Sequence, residues 1–174
     1  MAMILKPQDI VILLKLVADE ARNRSYASLA NELFMSVSEV HAGMKRAASA
    51  RLLDAQKNAP RRDALEEFLV HGVKYAFPPE RGEITRGMPT GYAAPCLSDK
   101  LVQPEEFPPV WPYPEGQVKG YSFLPLYKSV PKAAARDEKL YELLALLDAI
   151  RDGRARERDL AAKAIHSHLT RSKW

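Results

Sequence analysis

With 174 residues, 47% of them hydrophobic and 28% charged, the chain has the balance of a folded protein and enough length to bury a core. A single cysteine, Cys96, excludes an intrachain disulfide and fits a reducing compartment. The apolar run at residues 10–14 ends at Lys15, far short of the roughly 20 residues a membrane span requires, and no signal-peptide pattern is present, so a cytoplasmic protein without a membrane partner is expected.

The formal net charge is +4, and its placement is informative. Residues 1–62 carry ten Lys/Arg against six Asp/Glu, whereas the remainder carries sixteen of each. The positive excess therefore lies in the amino-terminal third.

Pro7 suits the first turn of a helix, and Ile10, Leu13, Leu14 and Val17 recur at helical spacing, fading near Arg22-Asn23. A second helix starts at the N-cap Ser25 and buries Leu29, Ala30 and Leu33, with a break at Phe34-Met35. The third begins at Ser36-Val37-Ser38-Glu39, a capping box in which Ser36 and Glu39 satisfy each other's free backbone N–H groups. Val40, Met44, Ala47 and Ala48 mark its inner face. Leu52-Leu53 suggests a short strand, residues 55–62 a basic wing or its remnant, and residues 63–76 a fourth helix.

Residues 78–131 hold eleven of the thirteen prolines, which excludes long helices there. Interleaved with them are Tyr92, Phe107, Trp111, Tyr113, Tyr121, Phe123 and Tyr127. Disordered proline-rich tails lack such aromatics, so this is expected to be an ordered segment packed on a globular surface. Whether that surface is its own chain, a second copy or another protein is open at this point. Residues 117–124 could form a strand. Residues 82–91, with Thr85 and Arg86 between glycines, are expected to be a structured loop anchored by Arg86 and not a phosphate loop.

Residues 137–169 predict one long helix or two, with a break at Gly153. Leu140, Leu143, Leu144, Leu147 and Ile150 form a stripe equally suited to a core or a dimer seam. His166 and His168 lie two apart, the wrong spacing for shared metal ligation on a helix. His71 suits packing or capping, and Cys96 an inert buried thiol. No metal or other cofactor is implied.

A short helix, a tight break and a capped helix over residues 25–51 are what a helix-turn-helix requires. The second of these helices would enter the major groove. The expected DNA contacts are Ser36, Ser38, Glu39, His41, Ala42, Lys45, Arg46 and Ser49 on that helix, with Lys57, Asn58, Arg61 and Arg62 on the wing. Serines and the helix N-terminus suit phosphates. Glu39 could accept from cytosine N4, His41 could donate to a base edge, and Lys45 and Arg46 suit the backbone.

The stretch Ser25-Tyr26-Ala27-Ser28-Leu29-Ala30-Asn31-Glu32-Leu33, with Met35-Ser36-Val37-Ser38-Glu39-Val40, resembles the MarR-like winged-helix regulators of bacteria, over about residues 13–53. The resemblance implies duplex DNA as partner and a homodimer. The short wing and the proline-rich insertion depart from that group.

The expected fold is thus mainly α, with a winged helix-turn-helix domain at 1–77, a proline- and aromatic-rich irregular segment at 78–131 and a helical region at 132–174. The expected function is sequence-specific DNA binding by a homodimeric transcriptional regulator, not catalysis. The alternative is an interaction module, such as an antitoxin, that wraps a partner encoded nearby with its proline-rich segment and represses its own operon.

Overall fold

A computed structural model describes residues 3–19, 24–104 and 106–171. It is mainly helical with two small sheets. The expected fading of the first helix at Arg22-Asn23 lies outside the described residues. None of the described helices is long and apolar enough to cross a membrane.

Helix α1 (Pro7–Ala18) starts at proline, whose fixed φ and missing N–H cost nothing in a first turn. Its burial exceeds one stripe: every residue from Ile10 to Lys15 is buried. The cause is two-sided packing against α3 (Val37–Ser49) and α8 (Glu138–Asp152); a helix covered all round becomes apolar all round. Helix α2 (Tyr26–Leu33) is capped by Ser25, whose Oγ accepts from Ser28 N at 3.0 Å. After α3 the chain forms an antiparallel hairpin, β1 (Leu53–Asp54) and β2 (Ala59–Pro60). Asn58 takes a left-handed conformation (φ 49°) at its turn, as asparagine tolerates.

The fourth helix is α4 (Arg62–Glu67), a π-helical turn (Phe68–Gly72) and α5 (Val73–Ala76). The π turn has no counterpart in the apolar spacing. The Phe68 ring folds over Gly72, where a Cβ would come within 2.6 Å of its edge.

The proline-rich segment folds on its own chain. Strands β3 (Arg81–Pro89), β4 (Pro109–Pro112) and β5 (Val118–Phe123) close into a three-stranded barrel. β3 runs antiparallel to both others, and β4 and β5 are parallel. The expected loop at 82–91 is thus corrected: it is mostly β3, and Arg86 is exposed on it. Gly87 serves close approach, since a Cβ there would overlap the Trp111 carbonyl, whereas Gly91 turns the chain at φ 58°. Strand β5 falls where the sequence suggests one. A 3₁₀ turn (Gly91–Ala93) and α6 (Pro95–Ser98) link β3 towards β4.

Helix α7 (Val130–Arg136) leads into α8, and Gly153 separates α8 from α9 (Ala155–Thr170), the second alternative expected. Leu140, Leu143, Leu144, Leu147 and Ile150 are all buried within the chain. The stripe is therefore core and not a dimer seam. One hydrophobic cluster runs from Ile10 to Leu169 and includes Trp111 and Phe123, so it crosses all three sequence regions.

Charged groups knit these layers. Lys15 on α1 reaches Asp137, the N-cap of α8, at 2.6 Å and Glu32 on α2 at 2.8 Å. Burial pulls the Lys15 ammonium down, but hydrogen bonds to Asp137 and Glu32 outweigh it and raise its pKa. The Lys15 hydrogen bond lowers Glu32, helped by Arg24; in Asp137 burial pushes upward and is outweighed by Lys15 and the α8 backbone N–H groups. Both folded carboxyl pKa values lie below the unfolded ones. Their stabilisation is complete above the ordinary carboxylate range and is lost as pH falls through that range to the depressed folded values. Urea midpoints should therefore drop as pH falls from 6 to 3, and Asp137→Asn, which keeps a capping oxygen but loses the charge, should flatten that drop. An equally steep drop in the variant would remove Asp137 from the account.

Candidate nucleic-acid interface

The turn between α2 and α3 is built from local chemistry. Phe34 ends α2 in the left-handed region (φ 54°), and Met35 N donates back to Ala30 O at 3.0 Å. A non-glycine residue there is strained by about 1 kcal/mol, and the Arg136 guanidinium lies over the Phe34 ring at 4.7 Å. Helix α3 then opens with the capping box: Ser36 Oγ accepts from Glu39 N at 3.1 Å, and Ser36 N donates to Glu39 Oε2 at 2.8 Å.

Three expected DNA contacts are committed inside the chain. Glu39 Oε1 accepts from the Tyr127 hydroxyl at 2.7 Å. That hydrogen bond, then the Ser36 N–H, holds the Glu39 carboxyl below its usual range. Each oxygen thus has a partner inside the chain, the Tyr127 bond tying the proline-rich segment to α3, and the expected acceptance from cytosine N4 would have to share them. Arg46 makes a two-pronged pair with buried Asp9, Nε to Oδ2 and Nη2 to Oδ1, both 2.8 Å. It fixes the α1–α3 crossing at Gly43, where a Cβ would come within 2.5 Å of Ile12 Cδ1, and does not reach outward to a phosphate. Arg62 donates from Nη1 to the Leu169 carbonyl at 2.9 Å and so caps the end of α9.

The others face outward. Ser38, His41, Lys45 and Ser49 are exposed on α3, and Ala42 is half-buried among them. Their three- and four-residue spacing puts them on one side of the helix, opposite buried Val40, Met44 and Ala47. His41 rests edge-on against Tyr26, ring centroids 5.6 Å apart. Ser36 is exposed at the cap. Lys57, Asn58 and Arg61 are exposed on the hairpin, which Asp54 shapes by accepting from Gln56 N and Lys57 N.

The structure adds residues that the sequence reasoning missed. Arg51 is exposed between α3 and the hairpin. Lys128, Lys132 and Arg136 are exposed along α7 and its approach. Tyr127 brings that approach to the α3 cap, and Arg136 brings the far end of α7 to Phe34. Only the four-residue spacing of these cations was visible in the sequence; their nearness to α3 depends on the long-range bond to Glu39.

No family, no curated protein and no solved structure matches the chain. The functional reading therefore rests on the surface itself.

Burial pushes the Cys96 thiol up to about 11, which keeps it protonated. His166 Nδ1 lies 2.7 Å from Glu66, and His168 Nε2 lies 3.2 Å from Glu142, so the two rings serve different helix contacts. His71 is exposed on the π turn. Among the described residues no group of three or more His, Cys, Asp or Glu is placed to hold a metal ion.

Proposed function

We propose that the chain binds double-stranded DNA as a transcriptional regulator, with α3 in the major groove and the β1–β2 hairpin as a short wing. The order of three helices and a hairpin supports a winged helix-turn-helix. The observation that carries the reading is the outer side of α3. It offers small, polar and basic side chains, while Glu39 and Arg46 on its flanks are bonded within the protein. Such a helix can enter a groove about 12 Å wide without losing its own contacts.

Within this reading Lys45, expected at the DNA backbone, instead meets base edges with His41 because it lies midway across the exposed side of α3; Ser38 and Ser49 meet base edges or phosphates, and the half-buried Ala42 suits a thymine methyl. Lys57, Arg51 and Arg61 meet phosphates. Glu39 and Arg46 orient the helix instead of reading sequence. Because the α8 leucines are internal, two copies pairing on an inverted repeat would use another surface. The partner-wrapping alternative loses part of its motive, since Trp111 and Phe123 are buried in their own chain, while Phe107 stays exposed.

Selection of bound duplexes from a randomised pool tests the proposal. An enriched motif is expected, and on it Lys45→Ala or His41→Ala should cost about 1–3 kcal/mol and relax one position. Lys57→Ala with Arg61→Ala should weaken all duplexes alike and lower the salt slope by about two. No enrichment, or normal binding by all of these variants, would refute it.

A further inference from the structure

We propose that Lys128, Lys132 and Arg136 form a second phosphate-contacting strip, which holds the DNA backbone flanking the segment read by α3. The inference rests on the duplex-binding reading and extends it to a part of the chain outside the helix-turn-helix.

Three observations carry it. The residues recur every fourth position and are all exposed, while Val130, Pro131, Ala133 and Ala134 turn inward. This gives α7 one basic side and one apolar side. The strip also has a fixed place. Tyr127 is bonded to Glu39 at 2.7 Å and Arg136 covers Phe34 at 4.7 Å, so α7 flanks the α2–α3 turn at the end of α3 that a groove-bound helix presents first. Finally, the charge is not used up inside the protein. Among the described residues none of the three makes an ion pair; Glu39 is bonded to Tyr127 and Ser36, Asp137 and Glu32 to Lys15, and the exposed Glu138 lies beyond Arg136 at the start of α8. Lys128 is near enough to Glu39 to help hold it ionised.

The spacing suits a strand of duplex. Lys132 and Arg136 are one helical turn apart, about 6 Å along the axis, close to two base steps of one strand at about 3.4 Å each. On α7 the two exposed charged side chains, Lys132 and Arg136, are both cations.

The test compares three proteins on the duplex enriched by the wild type. One carries Lys128→Ala, Lys132→Ala and Arg136→Ala. A second carries Lys128→Gln and Lys132→Gln only, which leaves the Arg136 cover on Phe34 in place. The third removes the same charge from the exposed side of α9 by Arg156→Ala, Arg158→Ala and Lys163→Ala. The first should lower the slope of log affinity against log salt by about two to three, bind at least about tenfold more weakly at ~0.1 M salt, and lose backbone protection on one flank of its hydroxyl-radical footprint. Its preferred sequence should be unchanged. The second should lower the slope by about one to two, and the α9 variant should match the wild type in footprint. An unchanged slope and footprint in the first two, or an equal loss in the α9 variant, overturns the strip while leaving the α3 reading intact. A wild type that binds no duplex overturns both.

Discussion

Replacing Asp148 with alanine is expected to lower the unfolding free energy by about 3–5 kcal/mol, the cost of removing one partner from a buried charged pair. Asp148 is buried in α8 and accepts three hydrogen bonds: from Thr90 Oγ1 and Trp111 Nε1 on Oδ2, both at 2.7 Å, and from Arg151 Nη1 on Oδ1 at 2.9 Å. Burial pushes its carboxyl up, while Arg151, Thr90 and Trp111 pull it back. Alanine leaves an indole N–H, a hydroxyl and a guanidinium without their acceptor. Arg151 also donates to the carbonyls of Phe77 and Pro78, at 3.0 and 3.3 Å, so the loss spreads to the start of the barrel. Urea unfolding measures the effect, and the near-ultraviolet signal of Trp111 should weaken with it. Asp148→Asn keeps one acceptor and should fall between the two. A change below about 1 kcal/mol for alanine, the range of an exposed pair, would mean that the barrel does not depend on this carboxylate.

The second large effect is at the α1–α3 crossing. Asp9→Ala should cost about 3 kcal/mol, the lower end for a buried pair because Arg46 keeps an edge in water. Asp9 also accepts from Lys6 N at 2.9 Å and so helps cap α1. Arg46→Ala leaves a buried carboxylate with that single donor, and should cost a similar amount. In the double variant neither charge is stranded, and the loss should be well below the sum of the two. Losses that add fully would show that the two side chains act independently. If α3 is the reading helix, each single variant should also weaken duplex binding beyond its loss of folded protein, because the pair sets the angle at which α3 leaves the core.

Local chemistry was the legible part of this chain. The Ser25 and Ser36 caps, the αL break at Phe34-Met35 and the stop at Gly153 each depend on a few consecutive residues, and each appears where the sequence puts it. The short hairpin and β5 were visible for the same reason. Effects that need distant partners were not. Val11 and Ile12 lie off the apolar stripe of α1, and their burial follows only once distant elements cover α1 on more than one side: Ile12 packs at Gly43 of α3, and α8 also packs against the helix. Residues 82–91 look like a glycine loop until Trp111 and Gly116 are brought against Gly87. Residue type alone also made Glu39, Arg46 and Arg62 look like DNA contacts, whereas their partners Tyr127, Asp9 and Leu169 lie 88, 37 and 107 positions away. The prolines excluded long helices correctly but could not reveal that glycines would let three strands close on themselves.

The central claim is that α3 and its hairpin hold duplex DNA. The most direct measurement is a fluorescence-anisotropy titration of labelled duplex from the protein's own upstream region, at several salt concentrations, beside a scrambled duplex of equal length. The account predicts preferential binding to the first, with affinity falling steeply as salt rises. Equal weak binding to both, or none, would contradict it.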